Sequence, residues 1–369
     1  MHASDSFPAT PEPTSAPNQP LPNLYGRSLG ELRELLRPLF PQAYRADQVY
    51  RALYYRNLAS LDLATDLSKA DRALLQERFR LSRPTIKERH LSADGTEKVL
   101  FQLEDGATIE TVDIPEQRRR TLCLSSQAGC ALACRFCVTG FWGAGRNLEP
   151  GEILAQVFVL QKSQPLLSES LNLVFMGMGE PMLNLPAVRV ACEILMEQIS
   201  WRRITISTAG VVPGIEELAT WPKRPELAIS LHAPDDDRRS ALMPINRKYP
   251  LAELLAALRA FPLAPQERIT FEYIPFDGFN DSAADAAALA RLLSGVNAKV
   301  NLIPLNQDSV LPADLLPSPP ERVAAFQRRL QEKGLLATIR RRRGSEISAA
   351  CGQLRSPSRP PRGRADRRG

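Results

Sequence analysis

The spacing of hydrophobic positions divides the chain into three stretches. From Leu24 to about Arg83 the apolar residues recur with a helical period. Leu29, Leu32, Leu35 and Leu36 share one face, with Ser28 placed as an N-cap and Glu31 three residues later, the capping-box spacing. Residues 44–58 and 70–80 repeat the pattern, which predicts a small helical accessory domain over 24–83. Residues 84–122 alternate like strands, and Asp94-Gly95 and Asp105-Gly106 fall where turns are expected. This predicts a hairpin-like linker over 84–120. Beyond it, strand-like runs at 121–125, 171–176, 203–208, 226–231, 269–274 and 299–304 alternate with helical ones at 149–163, 186–199, 213–220, 250–261, 282–294 and 320–333. Six such strand–helix units predict a parallel α/β domain over 121–339, as an open sheet or a partial barrel. Periodicity does not choose between the two. A last apolar segment, 334–339, leads into the run Arg340 to Arg343 and then to Cys351, with 340–354 as a C-terminal segment. No repeat of the solenoid kind is present.

Composition adds limits. Of 369 residues, 44% are apolar, enough to bury a full core. No apolar run approaches the ~18–20 residues of a membrane span. The first residues lack the basic-then-apolar layout of a secretory signal. The expectation is a cytoplasmic protein with no membrane partner. Residues 1–23 are proline-rich and of low complexity, read as disordered. The net charge is +6, and residues 355–369, with six arginines against Asp366, supply most of it. Such a tail reads equally as a solvated, disordered extension and as a polyanion-binding one.

The six cysteines are Cys123, Cys130, Cys134, Cys137, Cys192 and Cys351. Four of them lie between 123 and 137, which favours metal or catalytic chemistry over a disulfide framework. Cys130, Cys134 and Cys137 follow the first strand of the α/β domain, the edge where such folds place their chemistry. Three thiols in one loop can hold a 4Fe–4S cube and leave one iron open to a small chelating molecule, whereas a structural zinc site closes with four ligands. The alternative is a zinc site borrowing Cys123 or a distant histidine, and it ranks well behind. The three histidines, His2, His90 and His232, exclude a histidine-rich site. The CxxxCxxC spacing, with Phe136 before its last cysteine, resembles the radical-SAM superfamily. There the open iron binds the amino and carboxylate groups of S-adenosylmethionine.

Further polar strand ends fall at the same rim. Gly177-Met178-Gly179-Glu180-Pro181 follows the second strand, where glycines admit a ligand and a carboxylate can receive an ammonium group. Ser207, Ser230-Leu231-His232 and Leu305-Asn306 end later strands. Ordinary strand-end capping explains the serines equally well without the cysteine loop, and His232 can equally be a packed rim histidine. Cys351 sits beside glycine after an arginine run, a poor place for a small buried hydrophobe, and nearby cations favour its thiolate. Cys192 lies in the apolar pattern of 186–199 and reads as core.

Four strings occur together and in order: Thr121-Leu-Cys123-Leu-Ser-Ser-Gln-Ala-Gly-Cys130, Arg146-Asn147-Leu148, Gly177-Met-Gly-Glu180-Pro181 and Ala350-Cys351-Gly-Gln-Leu354. Over about residues 25–354 the chain resembles the RlmN/Cfr family of radical-SAM RNA adenine methyltransferases. The resemblance implies a (β/α)6 partial barrel with an N-terminal helical accessory domain and a C-terminal active-site extension. It implies that Cys130, Cys134 and Cys137 ligate one 4Fe–4S cluster, and that Gly179, Glu180, Ser207, Ser230, Leu231, His232 and Asn306 contact S-adenosylmethionine. It implies that Cys351 takes a methyl group from a first S-adenosylmethionine and that a radical derived from a second one activates it. A protein–RNA thioether follows, and Cys123 resolves it by forming a disulfide with Cys351. Glu110 matches the family's proton acceptor; the alternative for it is an exposed strand carboxylate. The implied product is adenine methylated at carbon 2 in 23S rRNA and tRNA, made by a monomer that draws electrons from a donor such as flavodoxin or ferredoxin. Two readings stay open beside it. One is methylation of carbon 8, as in the Cfr branch, which shares these cysteines. The other is a noncatalytic RNA-binding protein with a structural metal site, which leaves Cys123, Cys351 and Gly179-Glu180 unexplained. Residues 207–210 read Ser-Thr-Ala-Gly where many members have Ser-Thr-Ser-Gly, and 138–145 is a stretch that varies in the family.

Overall fold

The computed structural model of the chain describes residues 21–161, 170–341, 343–349 and 352–354. Most of the proline-rich head, the arginine-rich tail and Cys351 therefore lie outside the described residues. Three helices come first: α1 (Leu29–Leu36), α2 (Tyr44–Tyr54) and α3 (Lys69–Arg78). The Ser28 hydroxyl accepts from the Glu31 amide and the Glu31 carboxylate accepts from the Ser28 amide, so the capping box forms as the sequence predicts. Leu32 and Leu36 are buried. Tyr54 packs on Phe158, and its hydroxyl accepts from the Gly26 amide and donates to the Arg27 carbonyl. The helical unit is thus seated on the α/β body by a satisfied aromatic anchor.

Among the described residues, ten strands form one sheet in sequence order. β1 (Thr85–Leu91), β2 (Glu97–Gln102), β3 (Thr108–Glu116) and β4 (Arg119–Cys123) run antiparallel to one another. From β4 onward the pairing is parallel, through β5 (Leu171–Phe175), β6 (Ile204–Thr208), β7 (Glu226–Ser230), β8 (Ile269–Tyr273), β9 (Ala298–Leu302) and β10 (Leu336–Ile339). The crossovers carry α4 (Pro150–Phe158), α5 (Leu185–Leu195), α6 (Val212–Ala219), α7 (Asp236–Leu242) with α8 (Leu251–Ala260), α9 (Ala283–Leu292) and α10 (Pro320–Glu332). Strand order equals chain order, so right-handed crossovers place every helix on the same face. Among the described residues the other face carries no helix, and it becomes the lumen of an open barrel.

Side chains follow that division. In β5, Leu171, Leu173 and Phe175 are buried against the helices, while Asn172 and Val174 point to the lumen. Thr205, Glu226, Thr270, Glu272, Lys299 and Asn301 face the same space, a cavity of about 1030 Å³. β1 and β10 are the two sheet edges. Between them, residues 343–349 bridge the gap. The Asp94 carboxylate accepts from the Gly344 amide at 3.1 Å and faces Arg343 at 3.8 Å, and the Glu346 carboxylate accepts from the Ser92 hydroxyl and the Ala93 amide, each at 3.4 Å.

Three features depart from the sequence expectation. Residues 85–116 form the expected antiparallel hairpins, turning at Asp94-Gly95 and Asp105-Gly106, but as three strands continuous with the barrel sheet rather than as a separate linker. The segment 334–339 supplies a further strand, β10, short and mostly exposed, so its pattern is too brief to read. α7 was not anticipated: its Asp-Asp-Arg-Arg start has no apolar period, and it is set by Asp235, whose side chain accepts from the Arg238 amide.

Candidate active site

The cysteine loop leaves β4 through a locked turn. The Ser125 hydroxyl donates to the Glu110 carbonyl at 2.6 Å and accepts from the Met178 amide at 2.9 Å. The Gln156 side chain accepts from the Ser125 amide and donates to the Ser125 carbonyl. Strands β3, β4 and β5 and helix α4 are thereby fixed at one point. The Cys130 amide donates to the Gly143 carbonyl at 2.9 Å, and the Cys137 amide to the Cys134 carbonyl at 3.2 Å. The loop doubles back so closely that a side chain at Gly145 would sit 1.8 Å from the Ala128 carbonyl oxygen, so only glycine fits there.

The loop's three thiols stand near one another. Burial pushes the Cys130 thiol up to about 12, with Cys137 adding to the effect. Cys134 is raised by burial and by the proximity of both Cys130 and Cys137. Among the described residues, no three Cys, His, Asp or Glu side chains close on one point as ligands of a single ion do. Three thiols on one loop match the donor set of a 4Fe–4S cube held at three corners, with the fourth iron free of protein.

Glu180 lies at the end of β5 and is 3% exposed. Its carboxylate accepts from the Met182 amide at 3.1 Å and from the Ala209 amide at 2.8 Å, tying the ends of β5 and β6 together. Burial nevertheless raises its carboxyl to about 7. Gly179 precedes it with φ +98° and packs on Gln127, whose side-chain oxygen accepts from the Glu180 amide. Ser207 is half-buried near the end of β6, and Ser230 ends β7. Leu231 is wholly buried and donates its amide to the Glu272 carbonyl. His232 has φ +57° and its Nδ1 accepts from the Ile274 amide at 3.1 Å. The Phe136 ring meets the imidazole edge-on at 4.4 Å, which joins the cysteine loop to β7. Burial, with help from Arg239, lowers His232 to about 3, so its ring is neutral at ordinary pH. Asn306 lines the lumen cavity together with Cys123. Cys192 is wholly buried in α5.

Glu110 and Cys123 share one face. Lys98 of β2 lies opposite Val112 of β3, and Val112 lies opposite Cys123 of β4. Residues directly opposite point the same way, and Glu110 is two positions from Val112, so all four look into the lumen. Glu110 is not an exposed strand carboxylate. It is 4% exposed and paired with Lys98 Nζ at 3.0 Å.

The C-terminal segment reaches the same place. Beyond Cys351, the Gly352 carbonyl accepts from the Val138 amide at 2.7 Å, and the Leu354 carbonyl from the Thr139 hydroxyl at 2.7 Å. A side chain at Gly352 would come within 3.1 Å of the Phe136 carbonyl. The residues just after Cys351 are therefore pinned to the cysteine loop.

Arg239 was missed in the sequence. Its guanidinium is fully buried and donates to Asn246 Oδ1 at 2.6 Å, the Ala209 carbonyl at 2.7 Å and the Ser230 carbonyl at 3.1 Å. It thereby joins the ends of β6 and β7, and its charge is felt at Cys134. Burial lowers it to about 10, so it stays cationic. Within Asp235-Asp236-Asp237-Arg238-Arg239 it looked like one more surface charge, and no local signal distinguishes it.

Known proteins resemble the chain at both levels. Residues 124–290 match the radical SAM superfamily. A dual-specificity RNA methyltransferase RlmN from Anaeromyxobacter sp. (strain Fw109-5) is 45% identical over 353 residues, covering 93% of each chain. An RlmN from Syntrophobacter fumaroxidans is also 45% identical, covering 89% of this chain and 96% of its own. The crystal structure of a radical SAM methyltransferase from Sphaerobacter thermophilus superposes with a TM-score of 0.84 at 44% identity, covering 90% of this chain and 99% of that one.

Proposed function

This chain belongs to the RlmN family of radical SAM RNA methyltransferases, and on that premise we propose that it methylates carbon 2 of adenine in 23S rRNA and in tRNA. The observation that carries the reading is the shared lumen face of Glu110 and Cys123, with Gly352 and Leu354, just after Cys351, fastened to the cysteine loop.

Cys130, Cys134 and Cys137 would hold a 4Fe–4S cluster, and Gly179, Glu180, Ser207, Ser230, Leu231, His232 and Asn306 would hold S-adenosylmethionine against it. When bound, the cluster supplies the single electron that splits the sulfonium, with flavodoxin or ferredoxin as the upstream donor. Ring carbon 2 of adenine is an amidine-type position and a poor nucleophile toward a sulfonium methyl, so a radical route lowers the barrier. Cys351 carries the methyl group as a thioether. Glu110 accepts the proton that leaves the adenine carbon. Cys123 attacks the Cys351 sulfur, so that a disulfide forms as the sulfur–carbon bond to the RNA breaks, and the released carbon takes up a proton to complete the methyl group. His232, neutral and packed on Phe136, orients the loop rather than moving protons. The lumen supports an RNA substrate, because among the described residues eight arginines and lysines and three glutamates line it. The protein works as a monomer.

Nucleoside mass spectrometry of 23S rRNA and tRNA from cells with and without the gene tests this. Loss of 2-methyladenosine from both RNAs is expected. Loss of 8-methyladenosine instead would move the reaction to the other ring carbon, and no change in either would refute it.

A further inference from the structure

Lys98 has no role in the scheme above, yet among the described residues it and Arg239 are the two buried cations. It is 6% exposed on β2, in line with Val112 and Cys123 across three strands. Its ammonium stands 3.0 Å from Glu110 Oε1, with both side chains under a tenth exposed. The same ammonium donates to the Ser348 carbonyl at 3.4 Å, three residues before Cys351. A buried carboxylate is costly to keep charged without a partner, and a buried ammonium equally so. Lys98 meets both needs and reaches across to the C-terminal segment.

We infer that Lys98 is a positioning residue for the second half of the reaction, holding the Glu110 carboxylate toward the lumen and registering the Cys351-bearing segment over it. The inference rests on Glu110 being the proton acceptor. It divides the reaction sharply. Methyl transfer to Cys351 needs neither Glu110 nor its partner. Removal of the proton from the covalent RNA adduct needs the carboxylate aimed, and displacing a base by about an ångström costs one to two orders of magnitude in rate.

The test uses reconstituted holoenzyme with S-adenosylmethionine, a reductant and an RNA substrate, in wild type, Lys98→Met and Glu110→Gln. Intact mass reads methyl on Cys351, denaturing gels read covalent protein–RNA adduct, and nucleoside mass spectrometry reads product. In Lys98→Met, Cys351 methylation is expected near the wild-type level, product falls about tenfold or more, and adduct accumulates as in Glu110→Gln. Lys98→Arg, which keeps the charge, should recover part of the product. Wild-type product from Lys98→Met, or equal loss of both halves without adduct, overturns the inference while Glu110→Gln still stalls. If Glu110→Gln itself gives no adduct, the assignment of the base is wrong and the inference falls with it. Should Lys98→Met not fold, the same readings on Lys98→Gln, which keeps hydrogen-bond donors to both neighbours, decide with the same outcomes.

Discussion

Glu180 shows how one buried carboxyl can be both a structural liability and a ligand-binding asset. It accepts two backbone amides, yet its surroundings raise it from 4.5 to about 7. Between those values the folded chain binds more protons than the unfolded one, so stability falls as pH rises through that window. The full cost, about 3 kcal/mol as an upper bound, is present above pH 7 and absent below about 4.5. Denaturant unfolding of the cofactor-free protein at a series of pH values should show this loss, and Glu180→Gln should flatten it. Equal slopes in the two proteins would contradict it. A cationic group placed against Glu180 favours the ionised form, so the proposed contact with the amino group of S-adenosylmethionine also implies weaker binding as pH falls below 7.

The strand ends are what the elements contribute. Each of β4, β5, β6 and β7 ends in a polar turn, and cross-links between successive ends shape the rim: Ser125 to Met178, Glu180 to Ala209, Arg239 from Ala209 to Ser230. The cysteine loop, Gly179-Glu180 and the strand–helix alternation were legible because they are local: a spacing, a glycine beside an acid, a period. The links were not, since Arg239 sits in a charged run and finds its acceptors on other elements only after folding. The same holds for Lys98, whose partner is a diagonal neighbour across two strands. β10 escaped because four mostly exposed residues carry no pattern. Arg239→Met should leave two buried acceptors and one part-buried acceptor without their donor and lower stability by about 3 kcal/mol or more. A thermal midpoint within a degree of wild type would show the link to be dispensable.

At the scale of the whole molecule, an open barrel leaves a polar, net-basic lumen bounded by the cysteine loop at the strand ends and closed along its gap by residues 343–349. Four chemically distinct groups converge there from distant parts of the sequence: the three-cysteine loop, Glu180, the Glu110–Cys123 face and the residues just after Cys351. Among the described residues, no helix is long and apolar enough to cross a membrane. The central claim is that three thiolates hold a cluster with one iron left for S-adenosylmethionine. Electron paramagnetic resonance of anaerobically reconstituted, reduced protein tests it most directly, with metal content measured on the same sample. About four irons per chain and a cluster signal that changes when S-adenosylmethionine is added are expected. Zinc in place of iron, or a cluster signal that the added ligand leaves unmoved, would contradict it.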